Sequence, residues 1–400
     1  MKENQRVLTR FSFTIAAHNF LLAEAILQIP FIDLKTQYKA LKPEIDKGIF
    51  KVLEHGQFIM GPEVKECEEA LTKFVGAKYA LTCSNGSDAL QIALMALDIG
   101  AGDEVITTAF SFIATAEMIL ILGIKPVFVD IDRETYNIDW RKIEEAITPR
   151  TKAIMPVSLY GQPADFKEIQ AIASTHKLYV IEDAAQSFGA TYNGKRSCNL
   201  SDIGCTSFFP AKPLGCYGDG GAVFTNDDQL AEIMTSIRIH GMGEHRYHHP
   251  RLGINGRLDS LQCAVLTAKL SRYAWEIEQR ERVAERYNKA FSELKKFSVY
   301  TPTIRSDRKS VWAQYTLWVP DRDKFQSHLQ QKGVPTAIHY PITMADQPAY
   351  RETAKIHDIS TARLAAQHVV SLPMYPDMTD EIQDHIINAV CGVYAATSDS

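Results

Sequence analysis

The chain has no CxxC pair, no internal repeat, no low-complexity tract and no large charge of either sign in its 400 residues. A net charge of -5, from 43 basic and 48 acidic residues, leaves no electrostatic footprint for nucleic acid or a membrane surface. Local basic residues remain free to hold an anionic substrate. No run is long and apolar enough to span a bilayer. The seven cysteines (Cys67, Cys83, Cys198, Cys205, Cys216, Cys263 and Cys391) are odd in number and irregularly spaced. They predict reduced thiols in a cytoplasmic protein, not a disulfide framework, and no metal site.

Hydrophobic residues make up 46% of the chain, enough for a large core in two or three folding units. Residues 1–28 stand apart. Lys2, Arg6 and Arg10 precede Phe11-Ser-Phe-Thr-Ile-Ala-Ala17, but His18, Asn19 and Glu24 interrupt the apolar part and no small-residue cleavage site follows. This predicts a disordered or weakly helical extension in preference to a signal peptide.

From Phe31 onward, amphipathic helices alternate with short β-branched runs. Helices are predicted over Lys39–Glu54, Glu63–Phe74, Ser87–Leu97, Ile113–Leu122 and Asp165–His176. Strands are predicted at Tyr79–Cys83, Glu104–Thr107, Pro126–Asp130, Ala153–Val157, Leu178–Glu182, Thr206–Phe209 and Gly221–Thr225. Short buried strands between helices imply an α/β architecture with a mostly parallel sheet. Beyond Asp259 the texture changes to long charged helical sequence over Leu258–Leu294. Strands at Gln314–Val319 and Thr336–Tyr340 and helices at Phe325–Lys332 and Thr379–Tyr394 follow. The division expected is 1–28, a large domain 29–271 and a smaller α+β domain 272–400.

The chemistry concentrates on Lys212. It is the only lysine between Lys195 and Lys269, and it sits in Ser207-Phe-Phe-Pro-Ala-Lys-Pro-Leu-Gly215, where proline and glycine fix the backbone. Such fixing matters when a side chain must be aimed, although a surface loop lysine is the commoner arrangement. Asp183 ends the apolar run Tyr179-Val-Ile-Glu-Asp, 29 residues earlier. A lysine that forms a Schiff base and a carboxylate under a pyridinium nitrogen together make pyridoxal 5'-phosphate an electron sink. Asp183 could equally cap a helix. Gln186 is placed to bond the cofactor's ring hydroxyl, and Phe112, just after a strand, to stack on its ring or to pack in the core. Ser84-Asn-Gly-Ser87 joins a strand to a helix. The free amides at Gly86 and Ser87 suit a phosphate, with Ser207 adding a hydroxyl, but Asn-Gly before a helix also serves as a plain turn.

These motifs resemble the nucleotide-sugar aminotransferases, the DegT-like branch of fold-type I pyridoxal phosphate enzymes. The resemblance runs from about Ile29 to the C-terminus. It rests on Gly100-Ala-Gly-Asp-Glu-Val-Ile-Thr107, Val180-Ile-Glu-Asp-Ala-Ala-Gln186, the Lys212 loop, Asn255-Gly-Arg-Leu-Asp259 and Ala337-Ile-His-Tyr-Pro341. It implies a fold-type I transferase: a large domain whose mixed sheet is sandwiched by helices, plus a small C-terminal α+β domain. It also implies a homodimer with shared active sites, in which His240–Arg257 crosses to the neighbour and Asn255 reaches the phosphate. L-glutamate is the implied amino donor.

The closest likeness is to enzymes that aminate UDP-2-acetamido-2-deoxy-3-keto-glucuronic acid for lipopolysaccharide and O-antigen synthesis. Substrate contacts then fall on Gly56, Phe58, Arg257, His339 and Tyr340, Arg257 being suited to a carboxylate. Ala211 stands where many relatives have serine, and Phe58 where close relatives often have tyrosine. The alternatives are a 4-aminotransferase acting on a 4-keto-6-deoxy nucleotide sugar, a sugar dehydratase of the same fold, and a non-catalytic pyridoxal phosphate binder. Dehydratases of this branch often replace the lysine by histidine or add an iron-sulfur cluster, which Lys212 and the scattered cysteines oppose. A scaffold has no need of a proton-transfer lysine.

Overall fold

A computed structural model describes residues 28–395; the extension expected over residues 1–28 therefore lies, but for Gln28, outside the described residues. The chain opens with α1 (Leu34–His55), capped by the Asp33 carboxylate on the Lys35 and Thr36 amides and closed by Gly56 in the left-handed conformation. Next come α2 (Pro62–Val75), β1 (Tyr79–Cys83), α3 (Gly86–Ala96), β2 (Glu104–Thr108), α4 (Ala114–Ile121), β3 (Lys125–Val129) and β4 (Thr151–Met155). The run continues through α5 (Phe166–His176), β5 (Tyr179–Asp183), β6 (Thr191–Tyr192), β7 (Lys195–Arg196), β8 (Ile203–Ser207), β9 (Gly221–Thr225) and α6 (Asp228–Arg238).

Eight strands form one sheet, in the order β1-β9-β8-β5-β4-β2-β3-β12, where β12 is Lys355–Ile356. The centre and one flank are parallel, while β9 runs antiparallel to both β1 and β8. Successive strand residues feed opposite layers, as the two-residue period requires. Val105, Ile181 and Val223 pack under α3 and α6 with Leu90, Met234 and Ile237. Their neighbours Ile106 and Val180 pack with Phe166 and Ile169 of α5. Phe224 meets Leu71 of α2 and Leu266 of α7 (Ser260–Phe291). Each such aliphatic or aromatic burial contributes about 1.5–3 kcal/mol before ordering costs.

α7 runs unbroken through position 272. Its first half packs Cys263, Leu266 and Tyr273 on the large sheet, and its second half supplies Val283, Tyr287 and Phe291 to a separate core. That core is completed by α8 (Arg322–Gln331), the antiparallel pair β11 (Tyr315–Trp318) and β13 (Val369–Leu372), and α10 (Asp380–Ala395). Here the short strand β10 is Arg308–Lys309 and α9 is Ser360–His368.

Three expectations are corrected. The strand expected over Thr206–Phe209 lies earlier, at Ile203–Ser207: the Phe208 amide still meets the Gly220 carbonyl in register at 2.7 Å, but the Phe208 carbonyl accepts the Cys216 amide and the Phe209 carbonyl closes a turn on the Lys212 amide. Thr336–Tyr340 is not a strand. Only Ala337 pairs, with Ser371, because the Tyr160 hydroxyl takes the His339 carbonyl and Gln186 takes the Tyr340 hydroxyl. The chain is thereby drawn toward the carboxyl ends of the large sheet. α6, α9 and β13 were not expected from the sequence. α6 does carry a local signal: the Asp227 carboxylate caps it on the Leu230 amide at 2.9 Å.

Candidate active site

The site gathers beyond the carboxyl ends of β2, β4, β5 and β8, where α/β sheets bind ligands. Asp183 is the last residue of β5. Its backbone is held on both sides: its amide donates to the Pro156 carbonyl at 2.9 Å, and its carbonyl accepts from the Ser158 amide at 3.0 Å. Its side chain is buried. One carboxylate oxygen accepts the Thr115 hydroxyl at 2.7 Å and the other the Ala185 amide at 3.2 Å. Burial pushes its pKa up, while Thr115, Ala185 and the Lys212 charge oppose the rise. Each oxygen keeps a further lone pair.

Lys212 is aimed by its loop. The Lys212 amide closes a tight turn on the Phe209 carbonyl at 2.8 Å, and the Cys216 amide ties the far side of the loop to the Phe208 carbonyl at 2.7 Å. Phe208, Pro213 and Leu214 are buried beneath it. Burial pulls the Lys212 amine below the usual lysine range, against the attraction of Asp183. A neutral amine is thus more accessible here than on a surface lysine, as a nucleophile or base requires.

The third wall comes from the other end of the chain. Gln186 accepts the Tyr160 amide at 2.9 Å and donates to the Tyr340 hydroxyl at 3.0 Å. The Tyr340 ring lies 6.2 Å from that of Phe112, which is 54% exposed and not in the core. His339 shares a 2.9 Å hydrogen bond with Ser371, which reaches on to Thr316 at 2.9 Å. Burial and the nearby Lys212 pull the His339 pKa down to about 4, so the imidazole is neutral at neutral pH.

The phosphate end is built on α3. Asn85 caps the helix through the Asp88 amide at 2.8 Å, leaving the amides of Gly86 and Ser87 at its open end. Gly86 is required for close approach: a Cβ there would lie 2.6 Å from the Ser207 Cβ. Gly221 is equally constrained, with a Cβ 2.4 Å from the Asn85 carbonyl. Ser207, at the end of β8, therefore touches the helix start. Together the helix N-terminus, the serine, the partly open buried carboxylate, the exposed aromatic and the aimed lysine fit a phosphorylated pyridine aldehyde.

Gly56, Phe58, Asn255 and Arg257 sit on other elements. Gly56 caps α1, and the Phe58 carbonyl accepts the Ser260 amide at 2.9 Å at the start of α7. Asn255 is exposed on a strap bridged to Ile239. Its neighbour Gly256 donates to the Arg238 carbonyl at 2.9 Å and accepts the Ser84 amide at 3.0 Å, joining strap to phosphate end. Arg257 Nε is buried with no hydrogen-bond partner among the described residues. Thr115 was not anticipated. Its contact with Asp183 spans 68 residues of sequence, and its only local signal is its position in the first turn of α4, three residues after Phe112. Among the described residues, no group of three or more histidine, cysteine or acidic side chains is placed to hold a metal, and no helix is long and apolar enough to cross a membrane.

Comparison with known proteins agrees with this geometry. The model of the DegT/DnrJ/EryC1/StrS aminotransferase family matches residues 39–391. The chain is 57% identical to the UDP-2-acetamido-2-deoxy-3-oxo-D-glucuronate aminotransferase of Pseudomonas aeruginosa, over 87% of this chain and 95% of that one. Among solved structures, a family aminotransferase from Brucella abortus superposes with a TM-score of 0.89 at 40% identity, covering 92% of this chain and 100% of that one. The ntda protein of Bacillus subtilis, solved with bound cofactor PMP, superposes at 0.85 with 33% identity, covering 93% and 86%. The matched span holds every element of the Lys212–Asp183 cluster, and the chain belongs to the DegT/DnrJ/EryC1/StrS aminotransferase family.

Proposed function

We propose that the protein moves the amino group of L-glutamate onto a nucleotide-linked keto sugar, UDP-2-acetamido-2-deoxy-3-keto-glucuronic acid, with pyridoxal 5'-phosphate held at Lys212. The observation that carries this reading is the pairing of a buried carboxylate, Asp183, with a single loop-aimed amine, Lys212, in a chain 57% identical to an aminotransferase of that sugar. Bound there, the cofactor supplies an electron sink for the carbanion formed at the amino-bearing carbon.

The protein's own residues then divide the work. The Gly86 and Ser87 amides, the Ser207 hydroxyl and a partner's copy of Asn255 hold the phosphate. Asp183, kept in place by Thr115, stays charged against the ring nitrogen. Gln186 and Phe112 orient the ring. Lys212 takes the proton from the α-carbon of glutamate in the first half-reaction and delivers a proton to C3 of the sugar in the second. Arg257, with its unpartnered Nε, meets a carboxylate, while Gly56, Phe58, His339 and Tyr340 line the sugar.

We assign the working state to a homodimer. Phe50, Leu53, Phe58, Ile59 and Met60 expose apolar surface on α1 and the loop after it. Tyr247 and Leu252, on the expected crossing segment, are 88% and 87% exposed. Seven free thiols suit the reducing cytoplasm, where sugars for lipopolysaccharide and O-antigen would be aminated.

The test is optical and then chemical. The purified protein should be yellow and should bleach when L-glutamate is added. Mass spectrometry with a panel of oxidised UDP-sugars should find an amine gained by the 3-keto uronate. Failure to bleach with any amino donor would favour a non-catalytic cofactor binder, and amination of 4-keto sugars alone would reassign the regiochemistry.

A further inference from the structure

A second lysine lies beneath the Lys212 loop, and the proposed mechanism gives it no task. Lys269 of α7 is 1% exposed. Its ammonium donates to the carbonyl of Gly215, three residues after Lys212, and stands 5.2 Å from the centre of the Tyr217 ring. Seven residues earlier, on the same face of α7, Gln262 brackets Tyr217 with its amide: the Tyr217 N–H donates to Oε1 at 2.9 Å, and Nε2 donates to the Tyr217 carbonyl at 3.2 Å. The packing leaves little slack. A Cβ on Gly215 would lie 2.6 Å from the Phe209 carbonyl, and one on Gly218 would lie 2.9 Å from Gln262 Nε2.

A buried ammonium is expensive, and replacement of buried charge by apolar side chains of similar volume often stabilises a protein. Glu276 is also buried, but its hydrogen bonds come from Gln37, at 2.9 and 3.0 Å. Among the described residues, the only hydrogen bond of the Lys269 ammonium goes to the loop. Burial brings its pKa down to about 8, against the charge of Glu276 and with that of Arg280. The charge is thus held at a cost to stability, and what it grips is the loop that carries Lys212.

We infer that Lys269 and Gln262 form a clamp on residues 215–217 that positions the Lys212 amine for attachment of the cofactor and for proton transfer. Both are positioning residues. The inference rests on the assignment of Lys212 made above, and it adds a reason why one helix serves both the sheet and the smaller core.

The test uses the full chain stripped of cofactor. On adding pyridoxal phosphate, the rate of covalent attachment is read by absorbance. In Lys269→Met it should fall at least about tenfold, the scale of loss when a reacting group is misplaced by a fraction of an ångström. The melting temperature should stay level or rise, the opposite of what a merely structural residue would give. In the reloaded enzyme, kcat should fall in step while the KM for L-glutamate stays within about twofold. Gln262→Leu, at a partly exposed position, should slow attachment in the same direction and decides the matter if Lys269→Met does not fold. Attachment at the wild-type rate in either folded variant overturns the clamp. Borohydride reduction separates the two levels. Label on Lys212 with unchanged rates removes only the clamp, whereas label on Lys269 removes the assignment of Lys212 as well.

Discussion

The two faces of β5 end in two adjacent carboxylates with opposite fates. Glu182 points to one side, where the hydroxyls of Ser158 and Ser197, at 2.9 and 2.6 Å, and the Cys198 amide, at 2.7 Å, all donate to it. It is fully buried, and burial still pushes its pKa up to about 7. Asp183 points to the other side, accepts from Thr115 and Ala185, and feels the charge of Lys212. A carboxylate held by three donors ties neighbouring loops together. A partly saturated one, desolvated and opposite a cation, is poised for a ligand. Position in the strand does not separate them; the count of donors around each does.

The comparison breaks first at Lys212. Lys212→Ala should lower turnover by about 10⁴-fold or more while leaving the melting temperature near wild type, measured by coupled assay and calorimetry. Comparable activity in the variant would end the assignment. Asp183→Asn should retain some cofactor yet lose about 100-fold or more in kcat, because a neutral amide cannot hold a pyridinium proton.

Glu182→Gln should act on stability instead. The folded pKa of Glu182 lies above its ordinary 4.5, so the folded state holds its proton longer than the unfolded one does. Wild-type stability therefore declines relative to the variant as pH rises from about 4.5 to about 7, by roughly 3 kcal/mol. Denaturant melts across that window measure the difference, and a gap between the two proteins that does not change with pH would contradict it. The smallest effect is expected for Thr115→Val. Loss of a bond to a charged oxygen should cost roughly tenfold in kcat and move the acid limb of the pH profile upward. An unmoved limb would mean that Thr115 does not tune Asp183.

Much of this was legible in the sequence because it is local. β1 and β9 fall at Tyr79–Cys83 and Gly221–Thr225 as expected, since apolar β-branched or aromatic runs bounded by turn residues specify buried strands. Lys212 and Asp183 announced themselves by the rigidity or run-end around them. What stayed hidden is long-range. Thr115 meets Asp183 only after β2 and β5 are placed in the sheet, and Lys269 meets Gly215 across 54 residues. Thr336–Tyr340 reads as a strand by composition, but the bonds from Tyr160 and Gln186 that redirect it come from more than 150 residues earlier in the chain. The Phe112 ring likewise meets that of Tyr340, far away in the chain.

The account turns on which amine binds the aldehyde. Reduction of the yellow protein with borohydride, proteolysis and mass spectrometry of the peptides measures this directly. The account predicts a single pyridoxyl adduct on Lys212, within the peptide that runs from Ser197 to Arg238. An adduct on any other lysine, or none, contradicts it.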